Sequence, residues 1–254
     1  MPLLELRDCT VRFGGLAAVD GVSLAVGPGE LLSVIGPNGA GKTTLFNLIT
    51  GVYAPTSGGI RFEGAPISGL PPYLVSQRGI ARTFQNIRLF KQLSVLDNVR
   101  AATCGRARIG LTQCFLPSAR VEAAEQRLAD ECRELLGLFG LLDRAGVTAS
   151  SLPYGDQRRL EIVRALATRP KLLLLDEPSA GMNAGETLAL MSLIQRIQSE
   201  FALTILLIEH DMRVVMGLSP RIIVLDYGKQ IAEGSPARIR HDPRVIEAYL
   251  GESE

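Results

Sequence analysis

The sequence predicts an α/β protein with a mainly parallel sheet core, an antiparallel β subdomain and an inserted α-helical subdomain. Three observations carry that prediction. A Gly-rich loop, Gly36-Pro37-Asn38-Gly39-Ala40-Gly41-Lys42-Thr43-Thr44, stands between an apolar strand and a helix. Apolar runs without alternation, Leu172–Leu175 and Ile205–Ile208, suit parallel strands covered on both faces. From 93 to 141 the texture turns helical, with Leu96, Val99, Leu128, Cys132, Leu135 and Leu136 recurring at helical spacing among charged residues.

In chain order, Leu3–Arg7, Thr10–Phe13 and Val22–Val26 read as strand segments ending at Gly27-Pro28-Gly29, which makes the antiparallel layer. Glu30–Ile35 is short and apolar, a buried strand, and Leu45–Ile49 is a helix halted by Gly51. Gly58–Gly64 and Gly79–Gln85 read as strands, the second ending on a polar Gln85. The stretch Gly105–Ser118 reads as an irregular connection. After the Lys171–Glu177 strand come helix Glu186–Glu200, strands Thr204–Glu209 and Ile222–Leu225, and a short pair at Gly228–Ile231. Two small helices close the chain, the last with Asp242 as N-cap and Pro243 at its first position.

The bulk numbers bound the function. A chain of 254 residues, 46% hydrophobic, has ample core for one domain over 1–254, with a core at about 1–90 and 160–254 and a helical subdomain at about 91–159. Lys plus Arg is 27 against 26 Asp plus Glu, so there is no electrostatic case for nucleic acid. No apolar run approaches the roughly 18 residues of a spanning helix, and the N-terminus lacks a signal peptide's basic start and long apolar run. Cys9, Cys104, Cys114 and Cys132 form no close C-x-x-C pair, which reads as reduced thiols rather than a metal site.

The chemistry starts at the Gly-rich loop. Its spacing G-x-x-x-x-G-K-T fits a phosphate-binding P-loop. Gly36, Gly39 and Gly41 let the backbone curl so that N–H groups point at an anion, and the helix N-terminus adds partial positive charge. Lys42 is placed to reach the β- and γ-phosphates and the Thr43 hydroxyl to sit on Mg²⁺. The strand Leu172–Leu175 delivers Asp176 and Glu177 to its C-terminal edge, where ligands bind in open α/β sheets. Asp176 is placed to hold Mg²⁺, and Glu177 to polarise the water that attacks the γ-phosphate. Phe13, at a strand end before Gly14-Gly15, reads equally as a purine-stacking residue or as one more core aromatic.

Four further features narrow the family. Leu152-Pro153-Tyr154-Gly155-Asp156-Gln157-Arg158-Arg159 resembles the LSGGQ signature of ABC-type ATPases. Gln85 resembles their Q-loop, His210 their switch histidine, and Ala180-Gly181-Met182-Asn183 occupies the D-loop position. Each is weak alone; together, in the family's order, they make nearly the whole chain resemble an ABC transporter nucleotide-binding subunit of the P-loop NTPase fold. The resemblance implies a head-to-tail dimer with two ATPs between the P-loop of one subunit and the signature of the other. It implies nucleotide contacts from Phe13, Gly36, Asn38, Gly39, Ala40, Gly41, Lys42, Thr43 and Thr44, and across the dimer from Leu152, Tyr154, Gly155 and Asp156. It implies Mg²⁺ at Thr43, Gln85 and Asp176, and catalysis by Glu177, His210 and Gln85.

A narrower resemblance lies in Arg82–Phe90, in the long insertion before the signature and in the ending Val245–Glu252. These look like the ATPases of branched-chain amino acid importers. That implies a second ABC ATPase subunit (a heterodimer, with a homodimer as the alternative), two membrane permeases and, indirectly, a periplasmic substrate-binding protein. It implies a peripheral place on the cytoplasmic face of the bacterial inner membrane. Urea or amide importer ATPases of the same branch are close alternatives, and lipopolysaccharide-export ATPases a more distant one. A soluble ABC ATPase acting in translation or DNA repair generally carries tandem ATPase domains or a long coiled-coil insertion, and this chain has neither. Family resemblance also puts a permease-receiving groove at Gln85 to about Gly105, with Phe84, Leu89, Phe90 and Leu93 as lining residues that equally suit a core. Two departures stand out: Pro153 replaces the usual signature Ser, and Asn183 the usual D-loop Asp. The first loses a hydroxyl and a backbone N–H. Because a signature serves the opposite P-loop, the departure bears on the partner's ATP.

Overall fold

Strands β3 (Leu31–Ile35), β7 (Leu172–Asp176) and β8 (Thr204–Ile208) are buried along their whole length, as only interior strands of a covered parallel sheet are. The computed structural model describes residues 1–104 and 119–250; the expected connection Gly105–Ser118, with Cys114, and the final residues 251–254 lie outside the described residues. The described chain forms two units, Met1–Arg82 with Lys171–Glu254, and Thr83–Pro170.

In the first unit, β1 (Leu4–Phe13), β2 (Leu16–Val26), β4 (Ser57–Phe62) and β5 (Ala65–Pro66) make an antiparallel sheet in the order β2-β1-β4-β5. The two expected early segments are thus one strand, β1, bent at register shifts between Leu6 and Cys9, with Asp8 at φ 45°. A six-stranded sheet runs β10-β9-β3-β8-β7-β6, where β6 is Ile80–Arg82, β9 is Arg221–Asp226 and β10 is Lys229–Gly234. All its pairings are parallel except the β9–β10 hairpin at one edge. Buried residues of both sheets, among them Leu4, Phe62, Leu206 and Ile223, join one core around helix α1 (Lys42–Ile49), which contributes Leu45, Phe46 and Ile49. Helix α2 (Pro72–Gln77) precedes β6.

The second unit packs α3 (Val95–Thr103), α4 (Ala119–Leu138) and α5 (Tyr154–Ala167) against one another. Its limits lie outside the expected 91–159. The strand expected over Gly79–Gln85 stops at Arg82, because the next backbone groups turn to side chains of α5: the Phe84 N–H donates to Glu161, and Arg158 donates to the carbonyls of Phe84 and Gln85. Back in the first unit, α6 (Ala184–Glu200), α7 (Met212–Leu218), α8 (Pro236–Arg240) and α9 (Pro243–Leu250) complete the chain. Among the described residues no helix is long and apolar enough to cross a membrane.

Candidate nucleotide site

The loop 36–41 can take its shape only with glycine at its ends. A Cβ on Gly36 would lie 2.1 Å from the Leu225 carbonyl oxygen, and one on Gly41 2.4 Å from that of Ala18. The loop is tied from outside: Gly228 donates its N–H to Ala40 O, and Asp20 donates to Gly228 O. Gly41 is the N-cap of α1 at φ 99°, so Lys42, Thr43 and Thr44 open the helix. Lys42 lies buried with Nζ donating to the carbonyls of Gly36 (2.6 Å) and Pro37 (2.7 Å), stretched back along the inside of the loop. Asn38, Gly39 and Thr43 are exposed. This cradle, an ammonium inside a curled backbone at a helix start, fits the phosphates of a nucleotide.

The acids stand at the C-terminal end of β7. Asp176 is buried, and its Oδ2 accepts from Arg82 Nη2 at 2.7 Å. Glu177 adopts φ 47°, a left-handed conformation that costs an ordinary side chain about 1–3 kcal/mol and that the following Pro178 does nothing to favour. That turn carries Glu177 away from the pleat, and its Oε2 comes 3.7 Å from His210 Nδ1, beyond hydrogen-bond reach. The Glu177 carboxylate is largely shielded, and the His210 ring is exposed. Phe13 is exposed and meets Tyr53 edge-on, ring centroids 5.0 Å apart, so it stands as a surface ring with a second ring bracing it rather than as a core aromatic. The parallel register of β3, β8 and β7 sets the loop, Asp176, Glu177 and His210 at one sheet edge, while Phe13 pairs with Leu16 at the start of β2, the strand whose Ala18 carbonyl meets Gly41.

Gln85 and the signature belong to the second unit. Gln85 is exposed, its carbonyl held by Arg158. Phe84 and Leu89 are half-buried, Phe90 and Leu93 exposed. Beneath them Glu161 accepts from the N–H groups of Phe84 and Arg88, and burial pushes its carboxyl up despite those bonds and the neighbouring Arg158. Burial likewise pulls Arg164 down. In the signature, Pro153 is the N-cap of α5 and has no side-chain cap, and Tyr154 is exposed. Leu152 and Gly155 are buried. Asp156 turns its carboxylate to Arg144 and Arg159, so ion pairs inside the unit occupy it. Asn183 keeps a structural use: it caps α6 in a reciprocal box with Glu186.

Sequence reading gave no role to Arg82, Tyr53 or Glu209. Arg82 binds Asp176 and Asn47 and lies over the Phe46 ring. The one linear cue was charge at the ends of apolar strands, Arg82 closing β6 and Glu209 just after β8, the same cue that marked Asp176.

Comparison with known proteins agrees with this geometry. The family model described as "ABC transporter" matches residues 19–180, and that described as "Branched-chain amino acid ATP-binding cassette transporter" matches residues 229–254. The high-affinity branched-chain amino acid transport ATP-binding protein LivG of Escherichia coli strain K12 is 46% identical over 252 residues, 99% of each chain. The ADP conformation of MJ1267, an ATP-binding cassette of an ABC transporter, superposes with TM-score 0.86 at 31% identity, covering 99% of this chain and 100% of that one. A dimeric post-hydrolysis state of the cassette MJ0796 bound to ADP and phosphate gives TM-score 0.75 at 27% identity, covering 92% and 98%.

Proposed function

The chain belongs to the ATP-binding subunits of ABC transporters, and from that membership we propose that it powers import of branched-chain amino acids. The observation that carries the substrate is the likeness to LivG along the whole chain, including the C-terminal segment. It works as one of two ATPase subunits closing over two nucleotides, docked on two permeases that a periplasmic binding protein feeds, at the cytoplasmic face of the membrane; the dimeric MJ0796 cassette bound to ADP and phosphate supports the pairing.

In this reading Phe13, braced by Tyr53, stacks on the adenine, and the 36–41 backbone with Lys42 cradles the phosphates. Thr43 and Asp176 fit the donor chemistry of a Mg²⁺ site: a hydroxyl and a carboxylate, both oxygen ligands. Bound there, the cation would offset charge on the phosphate oxygens. Glu177 holds and polarises the attacking water, and His210, 3.7 Å away, orients it against the γ-phosphate. Positioning and charge neutralisation supply most of the acceleration. At the partner's nucleotide, Pro153 brings no hydroxyl, so the first N–H groups of α5 and its positive end carry that contact.

Transport into vesicles reconstituted with the partner ATPase and permeases tests this. Glu177→Gln abolishes or sharply reduces uptake, and Pro153→Ser is tolerated. Normal uptake in Glu177→Gln sinks the mechanism. A binding-protein screen over leucine, valine, urea and polar amino acids tests the substrate, and preference for urea would overturn it.

A further inference from the structure

Glu209 is a fully buried carboxylate at the end of β8, one residue before His210. Oε1 accepts from both the N–H (2.9 Å) and the hydroxyl (2.6 Å) of Ser179, and Oε2 accepts from the His210 N–H at 3.2 Å. Its burial keeps it from nucleotide or water, so it is no acid or base in the reaction. Burying a carboxylate costs several kcal/mol unless donors surround it, and the preceding Ile208 shows that apolar residues pack at this strand end.

What the carboxylate joins explains its presence. Ser179 lies two residues beyond Glu177, in a turn where Ala180 donates to Glu177 O and Met182 to Ser179 O. The Glu177 N–H donates to Ile208 O, which ties this turn to β8. Glu177 and His210 side chains stand 3.7 Å apart, too far to hold each other. Glu209 bonds to the backbone on both sides of that gap, at Ser179 and at His210.

We propose that Glu209 is a positioning residue that locks the Glu177–Ser179 turn to His210 and so sets the geometry in which water and γ-phosphate meet. The proposal rests on the reading of Glu177 and His210 as the hydrolytic pair. A glutamine at 209 separates its two arms: the amide oxygen still accepts from Ser179, while the amide N–H₂ confronts the His210 N–H, donor against donor. Ser179→Ala removes one bond from the other arm.

Steady-state ATPase of the full chain with its partner subunit, alongside binding of a fluorescent ATP analogue and thermal unfolding, tests this. In Glu209→Gln kcat falls about tenfold to a hundredfold, as a misplacement near 1 Å does. KM and analogue affinity stay within about twofold, because no ground-state contact is lost. Ser179→Ala shows a smaller fall of the same kind, and the double variant falls by less than the product of the two. Glu177→Gln and His210→Ala run in parallel. Parental kcat in Glu209→Gln, with those two inactive, overturns the positioning role alone. Turnover surviving in those two overturns the catalytic reading instead. A joint loss of kcat, affinity and unfolding temperature marks Glu209 as merely structural and also overturns the proposal. Should Glu209→Gln not fold, Ser179→Ala is judged by the same split: lower kcat at unchanged KM supports, unchanged kcat overturns.

Discussion

Replacing Arg82 by methionine isolates what the Arg82–Asp176 pair does for the empty protein. Both side chains are nearly sealed from solvent, 6% and 3% exposed, with Nη2–Oδ2 at 2.7 Å. Methionine keeps the stem over the Phe46 ring but removes the charge, leaving a buried carboxylate without its guanidinium. Losing one partner of such a pair costs about 3–5 kcal/mol, whereas replacing both by apolar residues is often neutral. The bond from Arg82 Nη1 to Asn47 Oδ1 at 2.6 Å adds about 1 kcal/mol. For a unit of this size each kcal/mol moves the unfolding midpoint by about 2–4 °C, so Arg82→Met lowers it by roughly 8–24 °C. The assay is thermal unfolding without nucleotide or divalent cation, which keeps catalysis out of the measurement. Arg82→Met/Asp176→Leu should recover most of the loss. A fall under about 2 °C for Arg82→Met, or no recovery in the double variant, refutes the reasoning.

Gly36→Ala, with its Cβ 2.1 Å from Leu225 O, displaces the loop and weakens nucleotide binding by more than about tenfold, read by titration with a fluorescent nucleotide. Tyr53→Ala removes the edge-on support of Phe13, and at about 0.5–1.5 kcal/mol it weakens adenine nucleotide binding roughly twofold to tenfold. Its effect on inorganic triphosphate is nil. Asp211 caps α7 and its carboxyl is lowered from the ordinary 3.8, chiefly by the side-chain hydrogen bond from Arg213. A lowered carboxyl stabilises above that ordinary value and loses its contribution as pH falls through the folded value. Hydrogen exchange in Met212–Leu218 should therefore accelerate below pH 3.8, and Asp211→Asn should remove that dependence.

Much of the site was legible in the chain because its chemistry is local. The Gly36–Thr44 spacing, the acids ending Leu172–Leu175 and the histidine after Ile208 each sit where a strand hands over to a loop, so apolar length alone places them at one sheet edge. Parallel strands could likewise be read from unbroken apolar runs. The end of the strand after Gly79 could not, because the competition for its backbone comes from Arg158 and Glu161, more than seventy residues downstream.

Residue types and spacing were enough for the phosphate cradle, the sheet class and the family. Three matters were left to tertiary structure: the hold of Arg82 on Asp176, the left-handed turn at Glu177, and the Glu209 bridge between Ser179 and His210. For the first and the last the physical reason is the same. A buried charge is tolerable only where distant donors converge on it, and which donors converge depends on strand order, which no linear spacing encodes.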